Sequence, residues 1–274
     1  MFLVNIMGYQ VILLLLIAFL NFIFGLLVFV KNKKSLVNIS YAGISFFLSL
    51  WTFGMMMYIK YPVDEVSIFL WSKILYLAGS LVAVSFLFFA IIFPDKKLPR
   101  KIVIILLFVP ILIIFYLLFF TNLILKELII HPDNRQLVLG KDFLVYYLEF
   151  FIYFAIAFYY LFKKYFRSSG ITKLQLRYIL IGTTIPCFLS TMVNMIFPLW
   201  GDFRLAWTGP VFLIFLLIFI AYAIIRYRLM DIRMVARRAF IYLGVAAFTY
   251  GIFYLIISVV KELVDGDKNY KKFS

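Results

Sequence analysis

Two ionisable side chains, Lys73 and Glu149, stand inside long runs of apolar residues, where a charge is costly. Each lies about six residues into its run, roughly 9 Å deep if the runs are helical. An ammonium and a carboxylate at matched depth can neutralise each other, so one hypothesis is a charge pair. The alternative is that both side chains extend to the polar boundary independently.

A second concentration of charge lies in the segment YAIIRYRLMDIRMVARRAFIY, residues Tyr222–Tyr242. At 100° per residue, Arg226, Arg233 and Arg237 share one helical face, and an apolar stripe lies beside them. This pattern is typical of an amphipathic helix at a membrane surface. One hypothesis makes the segment an interfacial helix whose arginines bind lipid phosphates. The other makes the segment only a stop-transfer anchor.

Residues for catalysis or metal binding are scarce. The chain has one histidine, His131, in a predicted turn, and one cysteine, Cys187, within an apolar run. A solvated loop histidine and a buried, inert thiol are expected, and no intramolecular disulfide can form. No nucleotide-binding, nucleophile-elbow or zinc-protease motif is present. We therefore expect no enzyme activity, no cofactor and no metal site in this chain.

The composition assigns these residues to a membrane protein. Of 274 residues, 66% are hydrophobic, against about 45–50% in soluble domains, and mean hydropathy is +1.08. Runs long enough to cross a bilayer recur at 9–30, 39–59, 67–93, 102–121, 143–162, 175–197, 206–225 and 239–260. The predicted fold is all-α and polytopic, a bundle of seven to eight transmembrane helices. The first run lacks the marks of a cleavable signal peptide.

Basic residues predict the orientation. They concentrate in alternate connections, at Lys31–Lys34, Lys96–Lys101, Lys163–Lys173 and Arg226–Arg238. Because Lys and Arg near helix ends favour the cytoplasm, the N-terminus is expected outside a bacterial-type inner membrane. Most basic residues then face anionic lipid, and no nucleic-acid partner is expected despite the net charge of +15.

The predicted outer side carries aromatic residues and one long loop. Trp51, Trp71 and Trp207 form either an interfacial aromatic belt or the lining of a site for a ligand that enters from outside. The loop LILKELIIHPDNRQLVLGKDF has two strand-like runs around a turn, which predicts a short β-hairpin that leans on the helix ends.

Four pieces of sequence, in this order, resemble the N-terminal seven-helix membrane region of bacterial sensor histidine kinases over about residues 10–238. They are LWTFG in the second run, FLWSKILYLAGSLVAVSFLFFAIIFP in the third, a long outer loop with Gly140, and YAIIRYRLMDIR at the end of the seventh. The last is the most specific. The resemblance implies a receptor whose last helix drives a cytoplasmic output. On this hypothesis the signal-transmission residues are Arg226, Asp231, Arg233 and Arg237.

This resemblance divides the chain into a sensory module at 1–238, an additional transmembrane helix at 239–260 and a polar tail at 261–274. In typical members the arginine segment continues into a PAS, GAF or kinase domain, whereas here an apolar run follows. We therefore expect a fragment, or else a stand-alone sensor. Expected partners are membrane lipids, a small or lipophilic ligand, a second copy in a homodimer, and a cytoplasmic kinase or a missing output domain. The alternatives are a small transporter or lipid-handling permease, and a structural anchor.

Overall fold

The computed structural model describes most of the chain before residue 213. The described residues are 2–60, 64–95, 97–131, 134–201, 203–212 and 219. Most of the predicted seventh span, the whole of the eighth and the polar tail lie outside them.

Six described helices are long and apolar enough to cross a membrane. They are α1 Phe2–Lys31, α2 Leu36–Lys60, α3 Glu65–Ile92, α4 Lys101–Phe120, α5 Phe143–Arg167 and α6 Gly170–Thr191. A π-helical turn, Met192–Ile196, and a final helical turn, Phe197–Leu199, extend α6. After a short irregular stretch, residues 209–212 are helical again. The first six predicted spans are therefore confirmed as helices.

The predicted hairpin is also confirmed. Strand β1, Leu125–His131, pairs antiparallel with β2, Asn134–Leu139. One face of the hairpin packs against α3, and Leu125, Leu128 and Leu137 are buried there. A hairpin alone is marginal in water, so this apolar contact stabilises it. We call this end of the bundle the hairpin end.

Polar side chains define two helix starts. At the start of α2, Ser35 Oγ accepts a hydrogen bond from the backbone N–H of Asn38 at 3.4 Å. At the start of α3, Asp64 Oδ2 accepts one from the backbone N–H of Ser67 at 2.9 Å. Both satisfy N–H groups that have no partner inside the helix.

Helix α3 occupies the centre of the described bundle. It contacts α2, α4, α5 and β1, and it is the most buried of the six helices. Helix α2 packs against α3, and α1 packs on α2 at very close range, since a Cβ built on Gly25 of α1 would lie 2.7 Å from the Cβ of Ser45 of α2. Small residues at such crossings let backbones approach, which is a main source of packing energy in lipid.

Hydrogen bonds between helices mostly join a side chain to a backbone carbonyl. Three such bonds are Asn38 Nδ2 to Val28 O at 2.9 Å, Ser49 Oγ to Ala18 O at 2.8 Å and Tyr153 Oη to Leu107 O at 2.6 Å. The last lies beside Pro110, which has no N–H to donate within α4. A neighbouring helix thus supplies a donor where proline disturbs the backbone ladder.

At the end opposite the hairpin, Lys164 of α5 caps α3. Its Nζ donates to the carbonyls of Ala90 at 3.1 Å, Ile91 at 2.7 Å and Phe93 at 2.6 Å. It also lies 3.3 Å from the carboxylate of Asp95. A cation at a helix C-terminus satisfies carbonyls that lack partners and complements the helix dipole.

Candidate functional site

A cavity of about 110 Å³ extends from the middle of the bundle toward the hairpin end. Helices α2, α3 and α5 form part of its wall, with β2, the end of α6 and the stretch that follows it. Pockets between helices, mostly apolar with a few placed polar groups, are usual ligand sites.

One face of α5 forms an aromatic part of the wall. Tyr146, Phe150 and Phe154 recur every four residues, which places them on the same side of the helix. The rings of Phe150 and Phe154 are 4.6 Å apart. On α3, Tyr76 lies edge-on to Tyr146, with 5.1 Å between ring centroids. The two helices together therefore present a continuous aromatic surface to the cavity.

Gly79 makes room for the Tyr146 hydroxyl. A Cβ at position 79 would lie 2.6 Å from the hydroxyl oxygen of Tyr146. Since any larger residue would displace that ring, the shape of this wall depends on the glycine.

The end of α6 supplies the polar part of the wall. Ser190, Thr191 and Asn194 line the cavity there. Asn194 lies in the π-helical turn, and its side-chain amide donates to the Ser190 carbonyl at 3.1 Å. Tyr147 of α5 donates its hydroxyl to the Met195 carbonyl in the same turn. Such π-helical turns occur frequently at functional sites.

No charged side chain lines the cavity in the described part of the chain. The described wall residues therefore offer a bound ion no countercharge to offset its lost hydration. The described wall can hold an uncharged molecule by apolar contact and hydrogen bonds.

The structure does not bring Lys73 and Glu149 together. Glu149 is 8% exposed and accepts a hydrogen bond from Ser80 Oγ at 2.9 Å. The Lys73 ammonium lies over the ring of Phe69, 4.8 Å from its centroid. In the described chain the two residues form no ion pair with each other. Sequence reasoning gave no signal for Ser80, because the contact crosses from α3 to α5.

The structure separates the three tryptophans. Trp51 lines the cavity. Trp71 packs edge-on against Phe53 at 5.5 Å, and Trp207 packs against the apolar core at the hairpin end. Neither of these two lies on the described cavity wall.

Cys187 is half-buried and lines the cavity. Tyr76, Tyr146 and Asn194 were missed by sequence reasoning. Only the four-residue aromatic spacing of α5 could have indicated part of the site. The hypothetical transmission residues lie outside the described residues: Arg226, Asp231, Arg233 and Arg237.

A comparison with known protein families identifies a matching family. The model of the N-terminal 7TM region of histidine kinase matches residues 13–233. No curated protein and no solved structure matches the chain significantly. The match covers most of the chain and ends within the arginine segment, as the resemblance in sequence predicts. The six described membrane-spanning helices are consistent with a seven-helix region. The chain belongs to the family of the N-terminal 7TM region of histidine kinase, a sensor region rather than a catalytic domain.

Proposed function

We propose that this chain is the membrane-embedded sensory module of a histidine-kinase-type signalling protein, and that the cavity is its ligand site. The observation that carries the proposal is the family match over residues 13–233. The cavity between the helices of that region supports it, because a receptor needs a place where a ligand can contact several helices at once.

The position of the cavity suggests how a ligand would act. Phe203 and Ala206 line the cavity and lie just before residues 209–212, where helix begins again. A ligand that binds one arrangement of these walls better than another shifts the population toward it. That shift would move the start of the seventh helix relative to α3 and α5.

The other end of the seventh helix would carry the output. We propose that Arg226, Arg233 and Arg237 hold the following segment on the anionic leaflet, with Asp231 as a local partner for Arg238. The N-terminus would lie outside a bacterial-type inner membrane, and the hairpin end with it. The partners would be membrane lipids, a second copy in a homodimer, and a cytoplasmic kinase or output domain.

A fusion tests this proposal. A histidine kinase core is joined after Arg238, and its autophosphorylation is measured in membranes. Thr191→Phe, which fills space at the cavity wall, is expected to change basal autophosphorylation at least threefold. Thr184→Phe, an exposed position on the same helix, is the matched control and should leave it unchanged. Equal outputs from the two variants would contradict the proposal.

The arginine segment is tested in the same fusion. Changing Arg226, Arg233 and Arg237 to glutamine should shift basal output, because each loses about 1 kcal/mol of attraction to anionic lipid. Arg228→Gln is the control, since Arg228 lies off that face. If the same arginines moved elsewhere in the segment give wild-type output, the segment is only an anchor.

The alternative is a small transporter or lipid-handling permease, which a cavity within the membrane also fits. Transporters commonly bind substrate at the bilayer midplane. This cavity reaches from the middle of α2 and α3, at Leu48 and Gly79, toward the hairpin end, so its depth does not separate the two functions. Flux into proteoliposomes that Thr191→Phe blocks, without any effect on the fused kinase, would favour transport.

A further inference from the structure

We infer that the cavity binds an uncharged molecule about the size of phenol, with an apolar body and one hydrogen-bonding group. This inference rests on the proposed sensory function, because it names the ligand class of the same site. It follows from the volume of the cavity, the charge of its wall and two hydroxyl groups.

The volume limits the size. The cavity measures about 110 Å³, somewhat less than the roughly 150 Å³ of an engineered protein cavity that binds benzene. A single ring or a short branched chain therefore fits with small side-chain adjustments, whereas a lipid headgroup or a peptide does not.

The described part of the wall disfavours a charged ligand. Its residues are neutral, and they offer a bound carboxylate or ammonium no countercharge. The same wall offers rings on α3 and α5, which favour a flat apolar body through edge-on and stacked contacts.

Two tyrosines supply the polar recognition. The hydroxyl of Tyr58 already donates to the Arg135 carbonyl. By contrast, no hydrogen bond is found for the hydroxyls of Tyr76 and Tyr146 within the described part of the chain. Both residues line the cavity. A ligand hydroxyl can pair with one of them, and an alkane or toluene cannot.

Cys187 provides a direct probe, because it is the sole cysteine of the chain and lines the cavity. The full chain is placed in lipid nanodiscs at pH 7, and the rate of Cys187 alkylation by N-ethylmaleimide is measured. Saturating phenol is expected to slow alkylation at least fivefold. Toluene should need about tenfold higher concentration, which corresponds to about 1.4 kcal/mol, and benzoate should give no protection.

A variant with its single cysteine outside the cavity controls for effects of phenol on the bilayer. Ile185→Cys in a Cys187→Ser background places the thiol on the same helix at a position that is 46% exposed on the bundle surface. Its alkylation should not respond to phenol. Equal protection at both positions would show that phenol acts through the lipid and would overturn the inference.

Variants test the hydroxyls. Tyr76→Phe combined with Tyr146→Phe should abolish the preference for phenol over toluene while keeping the aromatic wall. Tyr159→Phe, an exposed tyrosine of α5, should leave the preference intact. The phenol-induced rise in the unfolding midpoint gives a second readout that does not need a reactive thiol.

Several results would overturn the inference: equal affinity for toluene and phenol in the wild type, protection by benzoate, an unchanged preference in the double variant, or no effect of any probe in either readout. Failure of the sensory proposal can be distinguished from failure of the binding inference. If phenol protects Cys187 but cavity variants never alter the fused kinase, the binding inference stands and the sensory role fails. If those variants alter the kinase output and no uncharged probe binds, the sensory role stands and the binding inference fails.

Discussion

Tyr58 and Arg135 exchange hydrogen bonds across the hairpin end of the bundle. The Tyr58 hydroxyl donates to the Arg135 carbonyl at 2.7 Å, and the Arg135 guanidinium donates to the Tyr58 carbonyl. Tyr58 lies near the end of α2, and Arg135 lies in β2. The pair therefore connects strand β2 of the hairpin to the end of α2, beside the cavity.

Removing one hydroxyl should loosen this attachment. We expect Tyr58→Phe to destabilise the protein by about 1 kcal/mol, the usual net value of one hydrogen bond. Tyr116→Phe, at an exposed tyrosine of α4, is the control and should have no effect. Unfolding by denaturant in detergent measures both. An unchanged midpoint for Tyr58→Phe would show that the hairpin does not depend on this pair.

Lys164 should contribute far more to the stability of the protein than the adjacent Lys163. Lys164→Met removes the donor to three carbonyls of α3, and we expect a loss of about 2 kcal/mol. The control Lys163→Met should cost little, because the Lys163 ammonium is exposed and its closest polar contact is a 3.5 Å bond to Tyr159. Thermal unfolding compares the two variants. Equal losses would contradict the capping role.

Neutralising Lys73 and Glu149 should give additive effects. The two side chains have different neighbours, so a double-mutant cycle of Lys73→Met and Glu149→Gln should show a coupling within about 0.5 kcal/mol of zero. A large favourable coupling would instead support the charge pair considered from the sequence. Ser80→Ala is expected to destabilise, since it removes the hydroxyl that donates to the buried Glu149 side chain.

The helix cap at Asp64 predicts a small pH dependence. Hydrogen bonds from Ser67, through its side chain and its backbone N–H, hold the pKa of the Asp64 carboxyl below its usual 3.8. A pKa lower in the folded state stabilises the fold above pH 3.8, and this contribution is lost as the pH falls through the folded pKa. The unfolding midpoint between pH 6 and pH 2 should fall less in Asp64→Asn, which caps without titrating. Identical pH profiles would exclude this contribution.

Topology can be read by accessibility in intact cells. In a Cys187→Ser background, cysteines introduced at Lys33, Lys97 and Arg228 should resist a membrane-impermeant maleimide, because the basic loops are expected inside. A cysteine at Lys126 in the hairpin should react. Strong labelling at Arg228 would reverse the orientation and contradict the proposed path of the signal.

The sequence predicts the helices well because an apolar run in lipid must satisfy its own backbone hydrogen bonds, which a helix does. The errors of the prediction lie at the helix ends. Helix α5 was expected to stop at residue 162 and runs to Arg167, and α6 begins at Gly170 rather than at residue 175. Hydropathy marks the apolar core of the membrane, whereas a helix can continue beyond it wherever charged residues find partners, as Lys164 does.

The site was predictable only in part. Trp51 stood out as an aromatic residue near a predicted helix end, but Tyr76 and Tyr146 contribute through a contact between α3 and α5 that spacing within one helix cannot show. The π-helical turn Met192–Ile196 has no distinct local signal either. It depends on packing against neighbours, including the bond from Tyr147 to Met195.

The hydrogen bonds that join side chains to backbone carbonyls have an evolutionary consequence. Every residue type has a carbonyl, so replacing Leu107, Val28 or Ala18 leaves the acceptor in place. Each of these links constrains one sequence position instead of two. Aligned homologues should therefore show little covariation at these contacts, even though the helices touch there, and methods that infer contacts from paired substitutions should detect the apolar packing more readily than the polar links.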